Sequence, residues 1–408
     1  MSQIRNMLMA HAGMETLGAE ELEVVEKTAE EVAELVADKA AEEVKAEVNE
    51  LADEVEELSE EIEEIEEDVE ELEECVDGME ALLQAGAFNG AAFGLLYNRA
   101  EKLNRKLGGA DTGSVVGTES LGDAMSAGLA ARAGMESFMD TARGYKDAAV
   151  KFIMSMYESL KAFVKGLFDK SVAIENQVKA TSARLEKAEK MKENVKPGKW
   201  ASLALLKDST KLKAIITAVD AVVGAGGKLT ANDVSGYANA YRTLKSQIEN
   251  LAKDGQSKAN KSGDGTTHQI HFGKVVISAT VFDGEIKEHA DVNKAAKVTT
   301  ISYTVGKQEG EVKFNALTKE SAKGLLSSAQ KDGEMLKSMK EAKAGNEKGR
   351  DELVAAIKKV EGKQEDWVKP SISALKASTA MTNRVFTTVA KILGNVADAK
   401  IAAVKAYL

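Results

Sequence analysis

Apolar residues recur in alternating steps of three and four along residues 48–79, and this heptad period constrains the fold more than any other feature of the sequence. One seam position holds β-branched residues and the other holds mostly leucine, an arrangement typical of two-stranded parallel coiled coils. The seam residues are Val48, Leu51, Val55, Leu58, Ile62, Ile65, Val69 and Leu72. The pattern therefore predicts a long coiled-coil helix within residues 16–80.

Charge divides the chain into unequal parts. Residues 1–80 carry 30 acidic and 4 basic side chains, whereas residues 137–408 carry 31 acidic and 45 basic ones. In a self-dimer of the heptad helix, edge residues such as Glu54, Glu61 and Asp68 would face like charges. A basic partner helix or a scaffold rich in cations would relieve this repulsion, and the alternative is a solvated acidic coiled coil with no further role.

The basic region suits a polyanionic partner. Its lysines are scattered along the predicted helices instead of being concentrated in one recognition helix, and no sequence-reading module is recognisable. Contacts of this kind bind the phosphates of double-stranded DNA without sequence preference. The alternative is an ordinary basic surface with no nucleic-acid partner.

The tripeptide Gly-Met-Glu occurs three times, ending at Glu15, Glu80 and Glu136, whereas composition alone predicts roughly a tenth of an occurrence. A small residue follows each copy, and a related sequence ends at Glu119. The residue pairs at these four bonds are Glu15–Thr16, Glu80–Ala81, Glu136–Ser137 and Glu119–Ser120. We interpret these bonds as processing sites and the acidic segment as one that is removed.

Composition predicts a mainly α fold of three regions. Residues 1–80 form an acidic leader and coiled-coil propeptide, residues 81–136 a linker region rich in Gly, Ala and Ser with a short helix at 91–106, and residues 137–408 a basic helical body. In the body, two helical arms at 139–253 and 318–407 are expected to pack into one long-helix bundle. A small antiparallel β-sheet is expected between them, at about 268–317.

Individual elements of the body follow from periodicity and from Pro and Gly. A polar linker is expected at 256–267. The predicted helices cover 139–195, 200–223, 231–253, 318–344, 348–366 and 371–407. The predicted strands cover 274–282, 297–305 and 311–317.

Neither a catalytic centre nor a cofactor site is predicted. Gly226-Gly227-Lys228 resembles the end of a phosphate-binding loop, but the preceding glycine and the following Ser or Thr are missing. His268 and His271 would point to opposite faces of a strand, so no metal site is expected there. Cys75 is the only cysteine. The sequence contains no run of 18 apolar residues, which is the length needed to span a membrane. We therefore expect a protein that is not an enzyme, and that has no metal, cofactor or transmembrane segment.

The repeated Glu sites and the acidic segment that they bracket resemble the internal head proteins of large tailed myovirus phages. That resemblance implies a propeptide that directs the protein into the scaffolding core and is cut after Glu15, Glu80, Glu136 and Glu119 by the prohead protease. It also implies partners among the scaffold and other head proteins, assembly in the host cytoplasm, and a mature protein inside the virion with the packaged DNA. The resemblance covers the layout of residues 1–137.

Two other functions are compatible with the sequence. The first is an uncleaved coiled-coil structural or adaptor protein whose acidic rod binds a basic partner. The second is a membrane-active protein that uses an amphipathic helix at 139–168, with its apolar stripe on the membrane surface. The same stripe is more typical of one wall of a helical core.

Overall fold

The computed structural model describes residues 29–84, 89–106, 144–193, 209–229, 232–253, 256–273, 275–305, 317–339 and 368–408, with isolated positions between them. The helices are α1 (Ala29–Gln84), α2 (Gly90–Lys106), α3 (Gly144–Lys187), α4 (Thr210–Gly226), α5 (Val234–Ala252), α6 (His289–Val298), α7 (Lys319–Ser338) and α8 (Val368–Tyr407). The strands are β1 (Gln256–Ser262), β2 (Gly265–Phe272), β3 (Val275–Phe282) and β4 (Thr300–Val305).

Helix α8 is buried along nearly its whole length and forms the centre of the bundle. It contacts α1, α3, α4, α6, α7 and β4. Small residues such as Ala390 and Ala397 allow these neighbours to approach closely, and Phe386 meets Phe163 of α3 edge-to-face with 6.1 Å between ring centres. Pro370 lies in the first turn, where a missing N–H breaks no helical hydrogen bond. The predictions of a mainly α fold and of one bundle built from both arms are confirmed.

The four strands form one antiparallel sheet in the order β1-β2-β3-β4. Alternate residues of β3 are buried, among them Ile277 and Ala279, while Ser278 and Thr280 between them are partly exposed. Helices α5 and α6 contact the sheet. One face of the sheet therefore belongs to the core and the other is polar, as expected for a sheet covered on one side.

The predicted polar linker at 256–267 is wrong, because the sheet begins at Gln256 and not at about residue 268. β1 lacks alternating apolar residues because its side chains from Ser257 to Ser262 are exposed on both faces of the sheet edge. Pairing with β2 holds it in place, across a two-residue turn in which Gly263 has a φ of +58°. The predicted strand at 297–305 is shorter, because α6 extends to Val298 and β4 starts at Thr300.

Several helix boundaries also differ from prediction. The long helix ends at Lys187, well before residue 195, and α4 starts at Thr210 and not at residue 200. Helix α6 was not predicted, although Glu288 and Asp291 form a capping box at its start. In contrast, α2 agrees with the predicted helix at 91–106 within one residue.

Some predictions lie outside the described residues. These are the helical start at 16–28, the strand at 311–316, most of the helix at 348–366, and the bonds after Glu15, Glu119 and Glu136 with their following residues Thr16, Ser120 and Ser137.

Burial of Asp220 in α4 raises the pKa of its carboxyl from 3.8 to about 6. Ionisation is then harder in the folded than in the unfolded chain. The protonated Asp220 carboxyl therefore contributes to the free energy of unfolding. This contribution is fully present below pH about 4 and is lost as the pH rises through about 6. The complete difference corresponds to about 3 kcal/mol, and because the carboxyl is partly exposed we expect about half of it. Asp220→Asn should therefore stabilise the protein at pH 7 but not at pH 4, measured by urea denaturation. An equal effect of the substitution at both pH values would contradict this.

Candidate interface between the acidic helix and the body

The acidic helix α1 runs antiparallel to α8. Successive residues along α1 contact residues of α8 in the reverse order. Side chains of opposite charge join the two helices at three levels. These pairs are Asp53 with Lys391 at 2.7 Å, Lys45 with Asp398 at 3.0 Å, and Asp38 with Lys405. The pairs with Lys391 and Lys405 place carboxylates of α1 directly on cations of the body.

Helix α3 forms the other wall of the same groove and also runs antiparallel to α1. The Ser159 hydroxyl donates to Glu54 at 2.8 Å, the Gln177 amide donates to Asp38 at 2.9 Å, and the Arg184 guanidinium donates to Glu34 at 2.6 Å. Between these contacts the helices touch at Gly166 of α3, where a Cβ atom would lie 3.1 Å from Val48 Cγ2 and 3.5 Å from Leu51 Cδ1. Glycine at 166 therefore sets the close approach of α1 to α3.

The predicted heptad seam is used in two parts. Val48 and Val55 are buried in the main core, with Leu51 and Leu58 packed against it. Leu72 belongs to a second cluster together with residues of α1 and α2, namely Cys75, Met79, Phe93, Tyr97, Ala100 and Leu103. The side chains of Ile62, Ile65 and Val69 lie outside the described part of the chain. In the described structure, helices of the same chain cover the seam.

Basic side chains of α2 contact the C-terminal part of α1, past the residues of α1 that pack against the body. Lys106 pairs with Asp68 at 2.6 Å, and Arg99 pairs with Glu71. The Arg99 guanidinium lowers the pKa of the Glu71 carboxyl. The like-charge conflict expected at Asp68 is therefore relieved within the chain, by a basic helix that follows the acidic one.

Three body cations share the carboxylates of α1, and we call Arg184, Lys391 and Lys405 the cationic strip. Their side chains are 31%, 15% and 18% exposed while α1 is in place. Lys405 also lies 3.8 Å from a Glu34 oxygen, so Glu34 faces two members of the strip. Partly buried charge pairs are screened by salt less than fully exposed ones. The strip is therefore largely covered and neutralised by α1.

Next to the strip, Asp398 is shared between α1 and α3. Its Oδ1 accepts from Lys170 at 2.6 Å, and its Oδ2 lies 3.0 Å from the Lys45 ammonium in an ion pair. Burial lowers the pKa of Lys170, and this effect outweighs the neighbouring Asp398 carboxylate, which raises the same pKa. Loss of Lys45 together with α1 would leave Asp398 paired with Lys170, so this buried lysine keeps its counter-ion.

The Glu80–Ala81 bond lies within α1, four residues before the helix ends at Gln84. Glu80 and Ala81 are exposed, but Met79 is fully buried. A Cβ atom on Gly78 would lie 2.9 Å from Leu96 Cδ1 of α2, so this glycine allows close helix packing. A protease that binds an extended peptide would therefore have to unwind the last turns of α1 and withdraw Met79.

The residues with a sequence pattern related to metal or phosphate binding do not come together in a site. His268 and His271 lie in β2 and point to opposite faces. Gly226, Gly227 and Lys228 lie at the C-terminal end of α4, whereas phosphate sites use helix N-termini. Within the described ranges, no cluster of three His, Cys, Asp or Glu side chains could hold a metal ion, and no helix is long and apolar enough to cross a membrane.

The apolar face of α3 packs into the core. Leu160, Phe163, Val164 and Leu167, which belong to the stripe considered for membrane binding, are at most 5% exposed. In this structure the described part of the stripe is therefore a wall of the helical core.

Sequence reasoning named no residue of the cationic strip. A signal was present for two of them, because Lys391 and Lys405 are fourteen residues apart in a helix rich in small apolar residues. That spacing is about four helical turns, so both lie on one face. Their match to acidic positions more than 300 residues away could not be read from periodicity.

A family model of the phiKZ-like phage internal head proteins matches residues 43–407. The match begins inside α1 and continues through the sheet to the end of α8. No curated protein and no solved structure matches the chain. Since the matched residues are most of the chain, it belongs to the family of phiKZ-like phage internal head proteins.

Proposed function

We propose that this internal head protein is matured by the prohead protease, which cuts after Glu15, Glu80, Glu136 and Glu119 during assembly in the host cytoplasm. Residues 1–80 would be the acidic leader and propeptide, and residues 81–136 a linker region. The body at 137–408 would stay in the head and bind packaged double-stranded DNA without sequence preference. Membership of the family places the protein inside the phage head as a structural component, together with other head proteins.

The observation that carries this proposal is the position of α1 on the cationic strip. Glu34, Asp38 and Asp53 neutralise cations that belong to a region with 45 basic and 31 acidic side chains. While α1 is attached, it keeps these cations from other anions. Its removal would raise the positive potential of the groove at the stage when DNA enters the head. A cut is irreversible, so the change has a direction.

A second candidate is the uncleaved structural protein, and one observation favours it. Gly78 and Met79 have packing roles in the hairpin of α1 and α2, which explains one Gly-Met-Glu copy without a protease. Val48 and Val55 are also part of the body core. This candidate predicts full-length protein in mature particles.

Mass spectrometry of the protein from mature particles separates the two candidates, after digestion with an enzyme that does not cut at glutamate. We expect peptides that begin at Ala81, Ser120 or Ser137, and few peptides from residues 16–80. Abundant peptides that span Glu80–Ala81 and Glu136–Ser137 would contradict processing and favour the uncleaved protein.

Glu80→Gln should prevent the cut before Ala81 in infected cells that express the variant. The exposed glutamine keeps the size of the side chain but removes the charge on which we expect the protease to depend, and no buried contact is lost. Peptides that begin at Ala81 should fall at least tenfold. Glu74→Gln, also exposed on α1 but outside a Gly-Met-Glu copy, is the matched control and should leave them unchanged. Persistence of the Ala81 terminus in Glu80→Gln would exclude this site.

A further inference from the structure

We infer that the groove between α3 and α8, now filled by α1, is the binding site for the phosphate backbone of double-stranded DNA. The carboxylates of α1 occupy the positions that phosphates take when α1 has left. This assignment rests on the proposed association with DNA. It goes further by naming the surface, its residues and the intramolecular group that competes with DNA.

The groups along the groove are those that contact phosphates in protein–DNA complexes. The cationic strip provides one guanidinium and two ammonium groups, and Ser159 and Gln177 add neutral donors. Each of these five groups contacts an acidic side chain of α1 in the structure. Arginine, lysine, serine and glutamine are frequent donors to phosphate oxygens and carry no sequence information there. The site is therefore suited to DNA of any sequence.

The length of the groove also fits a DNA backbone. Ser159 and Arg184 are 25 residues apart on α3, which is about 38 Å along a helix. Lys391 and Lys405 are about 21 Å apart on α8 by the same rise. One turn of duplex DNA is about 34 Å long. The donors therefore span about the length of one duplex turn, and a straight groove of this length meets phosphates where the winding backbones cross it.

Gly166 offers a way to open the groove without cutting the chain or changing its charge. A leucine at this position would collide with Val48 and Leu51, because even a Cβ atom lies 3.1 Å from Val48 Cγ2. Gly166→Leu should therefore displace the middle of α1 from α3 and leave the strip intact. If this variant does not fold, Glu34→Gln, Asp38→Asn and Asp53→Asn together remove the carboxylates of α1 that pair with the strip, and the apolar packing of α1 is kept.

The test measures binding of the full-length protein to a fluorescent 30-base-pair duplex of mixed sequence, by anisotropy at several salt concentrations. Four proteins are compared: the unmodified chain, Gly166→Leu, and Gly166→Leu with either of two sets of three substitutions. The strip set is Arg184→Gln, Lys391→Gln and Lys405→Gln. The control set is Lys213→Gln, Lys294→Gln and Lys331→Gln, which removes the same charge from exposed lysines of α4, α6 and α7.

We expect Gly166→Leu to bind at least tenfold more tightly than the unmodified chain. The strip set should abolish this gain and reduce the slope of log K against log salt by about 3, because each lost phosphate contact removes about 0.9. The control set should retain most of the affinity, and its slope should fall less than that of the strip set.

Three results would overturn the inference, each for a different reason. Equal losses from the strip and control sets would show that the body binds DNA elsewhere, and would leave the proposed function standing. Tight binding by the unmodified chain would show that α1 does not cover the site. No binding by any of the four proteins at 50 mM salt would reject the proposed DNA association itself.

Discussion

When the chain is cut between α1 and α2, we expect α1 to stay bound to the rest of the protein until DNA displaces it. The reason is distance: a cut there breaks none of the contacts that residues 34–59 make with the body. Val48 and Val55 are buried in the core, and full burial of a valine side chain contributes about 1.5–3 kcal/mol. A cut at the Glu80–Ala81 bond would also leave these contacts intact, because this bond lies about six helical turns beyond Ser59.

The measurement uses the full-length protein with a site for a sequence-specific protease inserted within residues 85–88. After cutting, both fragments should elute together in size-exclusion chromatography at low salt, and added duplex DNA should release the smaller one. As a control, Val55→Asp places a carboxylate at a fully buried position and should separate the fragments without DNA. Complete separation of the unsubstituted fragments without DNA would contradict the prediction. Cleavage would then be sufficient for release.

Asp332→Ala should destabilise the protein by about 3–5 kcal/mol, because it leaves a buried ammonium without its counter-ion. Lys400 of α8 donates to Asp332 at 2.6 Å and to the Ser209 and Ser328 hydroxyls at 2.9 Å each. Both charged side chains are 2% exposed. This cluster joins α7, α8 and the start of α4 at the centre of the bundle.

Urea denaturation near pH 7 measures this effect. Replacing both partners, with Asp332→Leu and Lys400→Met, should cost much less than Asp332→Ala, since no buried charge remains. That comparison separates loss of the ion pair from loss of packing volume. A cost below about 1 kcal/mol for Asp332→Ala would mean that the ammonium reaches water, and would place α7 differently on α8.

Periodicity was a sound guide wherever an element has one buried face. The heptad from Val48 to Met79 is a continuous helix, and the β-branched run that ends at Phe282 is a strand. It failed where neighbours supply the stabilisation. β1 is polar on both faces and depends on pairing with β2, and α6 is only ten residues long. An element of this kind carries little periodic signal of its own.

The candidate site divides in the same way. The excess of glutamate in residues 1–80 and of lysine in the body could be counted from the sequence, and a basic partner for the acidic helix was one of the alternatives drawn from it. The sequence did not identify that partner, because Asp53 and Lys391 are separated by 338 residues. Charge counts state that cations are available but not which of them face the helix.

The sequence by itself determined that residues 48–79 form an amphipathic acidic helix, that the fold is mainly α, and that copies of Gly-Met-Glu lie around a reversal of charge. Only the tertiary structure decided that α1 lies between α3 and α8 with its carboxylates on Arg184, Lys391 and Lys405. The physical reason is that a heptad specifies which face of a helix is apolar, but any apolar surface of matching shape can cover that face. Gly166, which allows the close approach, and cations at matching heights on two distant helices selected this surface.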